Sequence, residues 1–265
     1  MGKMTEALRK AAEDRLERID KISRIQARQQ LVAKKIGDSK VDPRVVAYFD
    51  PKALITEQYK ILRTNVLSAN KIKSLKTLVV TSALHSEGKT ITALNLAVVV
   101  AQSTQKPKVL LVDADMRRGR FTKYLGVDQP QGLTEVLTGQ TDPAEVLFHI
   151  DIENLAFIAS GSIAENPAEL LGSEKMRQLL ADMKTQFDHI IIDTPPIISV
   201  TDSGIIGAMA DGVLMVIQAG RTQRGIVQRA SELLDQAHCK VIGHVLTNIE
   251  YHLPEYIYRY LKPLT

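Results

Sequence analysis

The chain has a single cysteine, Cys239, which excludes a disulfide framework and a cysteine-rich metal site and fits a reducing compartment. No apolar run approaches the ~20 residues needed to cross a bilayer. The amino-terminal stretch is charged throughout and lacks the apolar centre of a signal peptide, so a soluble protein is expected. The six histidines show no close ligand pairing, and His85 is expected to face solvent from a loop. Internal repeats and low-complexity tracts are lacking. So is a pervasive charge of one sign: the formal net charge is +4, and residues 1–40 alone hold eleven Lys or Arg against six Asp or Glu. That basic end alternates signs and has no interleaved aromatics, which is the composition of a solvated helix, and no nucleic-acid partner is expected.

Against these absences stands one stretch, Leu78-Val79-Val80-Thr81-Ser82-Ala83-Leu84-His85-Ser86-Glu87-Gly88-Lys89-Thr90. An apolar run that breaks into Gly-Lys-Thr and then turns helical reads as a strand, a phosphate-cradling loop and the positive end of a helix. Lys89 would reach the outer phosphates of a nucleoside triphosphate, Thr90 would offer its hydroxyl to Mg²⁺, and the backbone around Ser86, Glu87, Gly88 and Lys89 would present amides. The full pattern places a glycine five positions before Gly88, where Ala83 stands. Two further apolar runs close on carboxylates: Val109–Val112 before Asp113-Ala114-Asp115-Met116-Arg117, and Ile190–Ile192 before Asp193-Thr194-Pro195-Pro196. Uninterrupted apolar strands are those buried on both faces of a parallel sheet, and ligands in such sheets sit at the carboxyl ends of the strands. Asp113, Asp115 and Asp193 are therefore expected at the mouth that Lys89 and Thr90 face, where carboxylates repel unless a cation lies among them. Each alone could instead cap a following helix.

The rhythm along the chain predicts an α/β fold of the P-loop NTPase kind, a mostly parallel sheet with helices on both faces. Strands are expected near 77–82, 108–113, 155–158, 189–193, 212–218 and 241–247, and helices near 53–69, 90–103, 132–138, 173–187, 202–209 and 223–236. Residues 4–35 carry Leu8, Ala12, Leu16, Ile19, Ile22 and Ile25 at the spacing of an amphipathic helix. The expected division is an amino-terminal helix and linker over 1–52, a nucleotide-binding domain over 53–250 and a tail over 251–265. The tail holds Tyr251, Tyr256, Tyr258 and Tyr260, four of seven tyrosines, after the last strand. Such a cluster could be an edge strand or docking segment, or a set of modification sites.

Together the loop 86–90, the two aspartate-bearing strand ends and the tyrosine-rich tail resemble the bacterial tyrosine kinases. The likeness is to the soluble, single-domain autokinases of capsule and exopolysaccharide loci, and it covers about residues 54–260. It implies an ATP- and Mg²⁺-dependent kinase in which Lys89 holds phosphate and Thr90 is a Mg²⁺ ligand. Asp113 would be the base toward a tyrosine hydroxyl, with Asp115 and Asp193 in the metal shell; the sequence leaves the division of roles between Asp113 and Asp115 open. The likeness also implies adenine contact by Asn248, which could instead simply form a turn. It makes Tyr251, Tyr256, Tyr258 and Tyr260 acceptors in trans. Glu57, Lys60 and Arg63 stand where the family has a Glu-x-x-Arg-x-x-Arg ring interface, with Lys60 lacking the planar fork of the arginine it replaces. A homo-oligomeric ring is therefore implied, and so is a transmembrane polysaccharide co-polymerase as activator, which would hold a cytoplasmic chain at the inner membrane. The arrangement also resembles chromosome-partitioning and division-site ATPases, which carry an extra lysine where Leu84 stands. An iron–sulfur carrier of similar fold would need a cysteine partner for Cys239.

Overall fold

The computed structural model describes residues 41–69 and 75–249. Asp38–Thr247 form one compact unit; Asn248 and Ile249 belong to a second, whose other residues lie outside the described ones. The amphipathic pattern over 4–35 and the tyrosine tail lie outside them too.

Among the described residues seven strands make one sheet: β1 (Thr77–Ser82), β2 (Val109–Asp113), β3 (Leu147–His149), β4 (Leu155–Ile158), β5 (His189–Asp193), β6 (Gly212–Gln218) and β7 (Val241–Thr247), in the spatial order β3-β4-β2-β5-β1-β6-β7. All pairings are parallel except β3 with β4. β1, β2 and β4 are buried along their whole length, the signature of strands covered on both faces, whereas β7 at the edge is half-open. On one face lie α1 (Val46–Phe49), α2 (Leu54–Ala69), α3 (Lys89–Ala101) and α4 (Phe121–Leu125), whose Ala47, Val66, Leu94, Leu96, Phe121 and Leu125 pack with Val80, Leu111 and Leu214 of the strands. On the other lie α5 (Leu133–Thr138), α6 (Pro167–Gly172), α7 (Glu174–Gln186), α8 (Asp202–Met209) and α9 (Arg224–Gln236), packing through Val136, Leu171, Met176, Ile206 and Leu234 against Val79, Leu110 and Ile192.

The expected strands and long helices are present, with bounds shifted by a residue or two. Four short elements had not been expected: β3, α1, α4 and α6. α1 falls where a linker was expected. It is held there by the buried Asn95 of α3, whose Oδ1 accepts from the Ala47 amide (2.9 Å) and whose Nδ2 donates to the Arg44 carbonyl (2.9 Å). One buried polar side chain thereby fastens a passing segment to the core.

Candidate active site

β1 ends at Ser82, and the chain turns through Ala83–Gly88 into α3. Ala83 is fully buried at the position where a glycine was anticipated; left-handed backbone occurs later, at Ser86 (φ 64°) and Gly88 (φ 94°). A non-glycine residue in that region costs about 1–2 kcal/mol, and strain of this kind concentrates at functional loops. Glu87 between them is buried: its carboxylate accepts from the Leu84 amide (2.7 Å) and from the Thr222 hydroxyl, and its own carbonyl accepts from Thr247 Oγ1 (2.8 Å). The side chain of Glu87 thus ties the loop to the turn after β6, and only its backbone remains for a ligand. Leu84, where a second lysine would stand in the partitioning ATPases, packs against the core.

Beyond the loop, Lys89 and Thr90 begin α3. Lys89 Nζ lies 3.2 Å from Asp115 Oδ2 and 3.7 Å from Asp193 Oδ2, and Thr90 Oγ1 donates to Asp193 Oδ2 at 2.7 Å. The convergence follows from register. Asp113 and Asp193 are direct partners at the ends of β2 and β5, and β5 lies beside β1. Asp115 Oδ1 and Asp193 Oδ1 are buried without a hydrogen-bond partner. Asp113 differs: its Oδ2 accepts the amides of Arg120 (2.8 Å) and Phe121 (3.1 Å) at the start of α4, and its Oδ1 that of Asp115 (3.1 Å).

Burial and the facing Asp193 push the Asp113 carboxyl up to about 7, against those amides and Lys89. Burial likewise raises Asp193, opposed by Lys89 and Thr90. Burial works against the charge of Lys89, but Asp193, Asp115 and Asp113 outweigh it and hold the ammonium above its ordinary value. Lys89 is the cation paired with Asp115 and Asp193, and two of their oxygens still lack a partner. The two orphaned oxygens beside the Thr90 hydroxyl are hard donors of the kind Mg²⁺ takes. Among the described residues no three acidic, histidine or cysteine side chains form a ready-made metal cage. Mg²⁺ ordinarily binds through one or two carboxylates plus substrate phosphates, so these residues fit it as part of a nucleotide complex.

The cleft is lined by His85, Ser86, Gly88, Lys89, Thr90 and Asp115, and also by Arg118, Arg120 and Tyr124. Tyr124 and Arg120 had escaped sequence reasoning; the signal was the basic run from Arg117 to Arg120, whose orientation only the fold reveals. His85 is exposed, as expected, with Nε2 3.3 Å from Ser199 Oγ. Arg117 instead forms a two-pronged pair with the fully buried Asp202 (2.9 and 3.1 Å). Asp202 stands in the first turn of α8, after Thr201, and its carboxylate is committed to Arg117.

Away from the cleft, Lys60 pairs with Glu57 (2.7 Å) and donates to the Pro51 carbonyl (2.7 Å), while Arg63 donates to the Val99 carbonyl in the last turn of α3 (2.8 Å). All three family positions on α2 thus have partners within the chain. Asn248 follows β7 with a left-handed backbone (φ 54°), a conformation Asn tolerates better than most residues. Tyr251, Tyr256, Tyr258 and Tyr260 lie outside the described residues.

A mostly parallel sheet in which the inner strand β1 feeds a Gly-Lys-Thr loop, with aspartates at the ends of β5 and β2, defines the class: a P-loop NTPase. A family profile described as an AAA domain matches residues 76–238. The chain is 37% identical over 216 residues to the tyrosine-protein kinase YwqD of Bacillus subtilis, covering 82% of this chain and 90% of that one. It is 34% identical to the tyrosine-protein kinase ptk of Acinetobacter johnsonii over 78% of this chain, but it spans only 28% of that larger relative. Among solved structures, the kinase domain of Escherichia coli tyrosine kinase ETK superposes with a TM-score of 0.73 at 30% identity, covering 79% of this chain and 83% of that one. The chain belongs to the bacterial tyrosine-protein kinases.

Proposed function

We propose that the chain transfers the terminal phosphoryl group of ATP to tyrosine hydroxyls, and that its acceptors are Tyr251, Tyr256, Tyr258 and Tyr260 of a neighbouring copy. The observation that carries the reading is the convergence of Lys89, Thr90, Asp115 and Asp193, with two carboxylate oxygens lacking a partner.

In this reading the amides of the 86–89 loop and the amino end of α3 hold the phosphates, and Lys89 leaves its carboxylates to neutralise the transferring group. Thr90, Asp193 and Asp115 would hold Mg²⁺, which supplies positive charge to the phosphate oxygens. Asp113, fixed by three backbone amides, accepts the proton of the tyrosine hydroxyl as the tyrosine oxygen bonds to phosphorus and the bond to the departing ADP oxygen breaks. A carboxyl raised toward neutrality suits that task, whereas an ordinary carboxylate would be a weaker base.

The tail follows β7 so closely that all four hydroxyls could hardly reach the chain's own nucleotide, which supports transfer between copies. Glu57, Lys60 and Arg63 are the proposed contact between copies, and Asn248 the proposed contact to adenine. Among the described residues no helix is long and apolar enough to cross a membrane. The proposed setting is capsule or exopolysaccharide synthesis, with a transmembrane co-polymerase bringing this chain to the inner membrane from the cytoplasmic side. Mixing a Lys89→Ala chain carrying the native tail with an active chain whose four tail tyrosines are phenylalanine tests transfer. Phosphate on the inactive partner's tail is expected; label confined to tyrosines outside 251–260 rejects the acceptor assignment.

A further inference from the structure

Beside the nucleotide cleft lies a second cavity of about 330 Å³, between the loop after β2 and the loop after β4. Arg118 lines both. Its neighbour Arg117 is committed to Asp202, but the exposed side chain of Arg118 makes no hydrogen bond or ion pair among the described residues. The cavity's lining includes Ile163, an isoleucine 80% exposed, Pro130, and the polar Ser160 and Gln129. Its floor is closely packed: a side chain added at Gly119 would begin 1.7 Å from Ser160 Oγ, so the loop bearing Arg118 lies directly on the loop after β4.

An uncommitted guanidinium between a phosphate cleft and a partly apolar cavity can pair with a carboxylate on whatever crosses between them. The sequence supplies a counterpart. In the tail, Glu250 immediately precedes Tyr251 and Glu255 immediately precedes Tyr256, whereas Ile257 precedes Tyr258 and Arg259 precedes Tyr260. Adjacent side chains of an extended segment point to opposite sides. A Glu-Tyr pair crossing between the two would put the tyrosine into the nucleotide cleft and the glutamate into the second cavity. We propose that this cavity receives the tail of a second copy of the chain, and that Arg118 is a specificity residue which pairs with the glutamate preceding the acceptor tyrosine. The order of modification follows: Tyr251 and Tyr256 precede Tyr258 and Tyr260. The inference rests on the kinase reading above and adds to it the site and the preference.

The test uses full chains. A donor whose tail tyrosines are phenylalanine is mixed with a Lys89→Ala acceptor, and label at Tyr251 and Tyr256 is measured against Tyr258 and Tyr260 by peptide mass spectrometry. That ratio cancels any effect on nucleotide binding. Glu250→Gln with Glu255→Gln in the acceptor should lower it about five-fold, as expected for a partly exposed charge pair. Arg118→Gln in the donor should do the same, and the two together should do no more. Arg118→Glu against Glu250→Lys and Glu255→Lys should restore it. A labelled tail whose ratio ignores both changes overturns the role of Arg118 and leaves the kinase reading standing, whereas phosphate on no tyrosine overturns the kinase reading. Independently of catalysis, a fluorescent peptide spanning residues 247–257 should bind the Mg-ADP-loaded chain about five-fold more weakly after Arg118→Gln. Equal binding overturns the proposal.

Discussion

The two ends of the parallel sheet each gather aspartate and lysine, and they treat them in opposite ways. At the amino end, Asp211 precedes β6, and its Oδ2 accepts from the Thr77 amide (2.7 Å), the Thr77 hydroxyl (2.8 Å) and the Lys76 amide (3.0 Å), while Lys184 reaches Oδ1 at 3.3 Å. Burial there would raise the carboxyl, but these donors overcome it and hold Asp211 below its usual value. At the carboxyl end the balance reverses: burial and mutual repulsion win at Asp113 and Asp193, and two oxygens have no partner. Asp211, with its donors in place and no second acid facing it, is structural. An acid held in the charged neighbourhood of other acids with donors missing stores unfavourable free energy that a cationic ligand relieves.

The comparison can be broken most sharply at Lys89. Lys89→Ala should lower phosphoryl transfer by at least about 10²-fold, the usual consequence of losing a group that neutralises transition-state charge. Its far-UV circular dichroism should be unchanged; loss of structure would place Lys89 among the supports of the fold. The opposite pattern is expected at the amino end. Asp211→Asn should cost about 1 kcal/mol in urea unfolding, because donors lose part of an ionised acceptor that is still partly exposed, and it should leave the activity of the folded fraction intact. The pH dependence fixes the sign. A carboxyl depressed in the folded state adds stability at neutral pH that disappears as pH falls through the depressed value, so the native and Asp211→Asn curves should converge in acid. Convergence at high pH instead would contradict the assignment. A smaller effect is expected at Arg63, whose guanidinium meets a carbonyl at the negative end of α3: Arg63→Ala should cost about 0.5–1 kcal/mol even in the monomer. Unchanged monomer stability combined with loss of assembly would assign Arg63 wholly to the contact between copies.

The amino and carboxyl ends were also unequally legible in the sequence. Long apolar runs closing on Asp113 and Asp193 announced doubly buried strands and placed their carboxylates at one mouth, because strand direction alone decides which end a terminal residue occupies. The inward turn of Glu87 was not legible, since it depends on Thr222, which is remote in sequence and arrives only when β6 lies beside β1. The pairing of Asp202 was hidden for the same reason: its partner Arg117 comes from the loop after β2. The short β3 and α1 carry too few residues for a periodic signal, and each is fixed by tertiary contacts, β3 by pairing with β4 and α1 by Asn95. The lining by Arg120 and Tyr124 escaped because α4, which follows Asp113, is only a turn and a half long and unmarked by capping side chains.

The most direct measurement of the central claim is calorimetric binding of ADP with and without Mg²⁺ to the native chain and to Asp115→Asn and Asp193→Asn. If the unpartnered carboxylates await a metal–nucleotide complex, Mg²⁺ should tighten ADP binding to the native chain by at least about ten-fold, the equivalent of about 1.4 kcal/mol. Either substitution should remove most of that gain while leaving metal-free binding no weaker than before. Binding to the native chain that is indifferent to Mg²⁺, or a gain that survives both substitutions, would contradict the account.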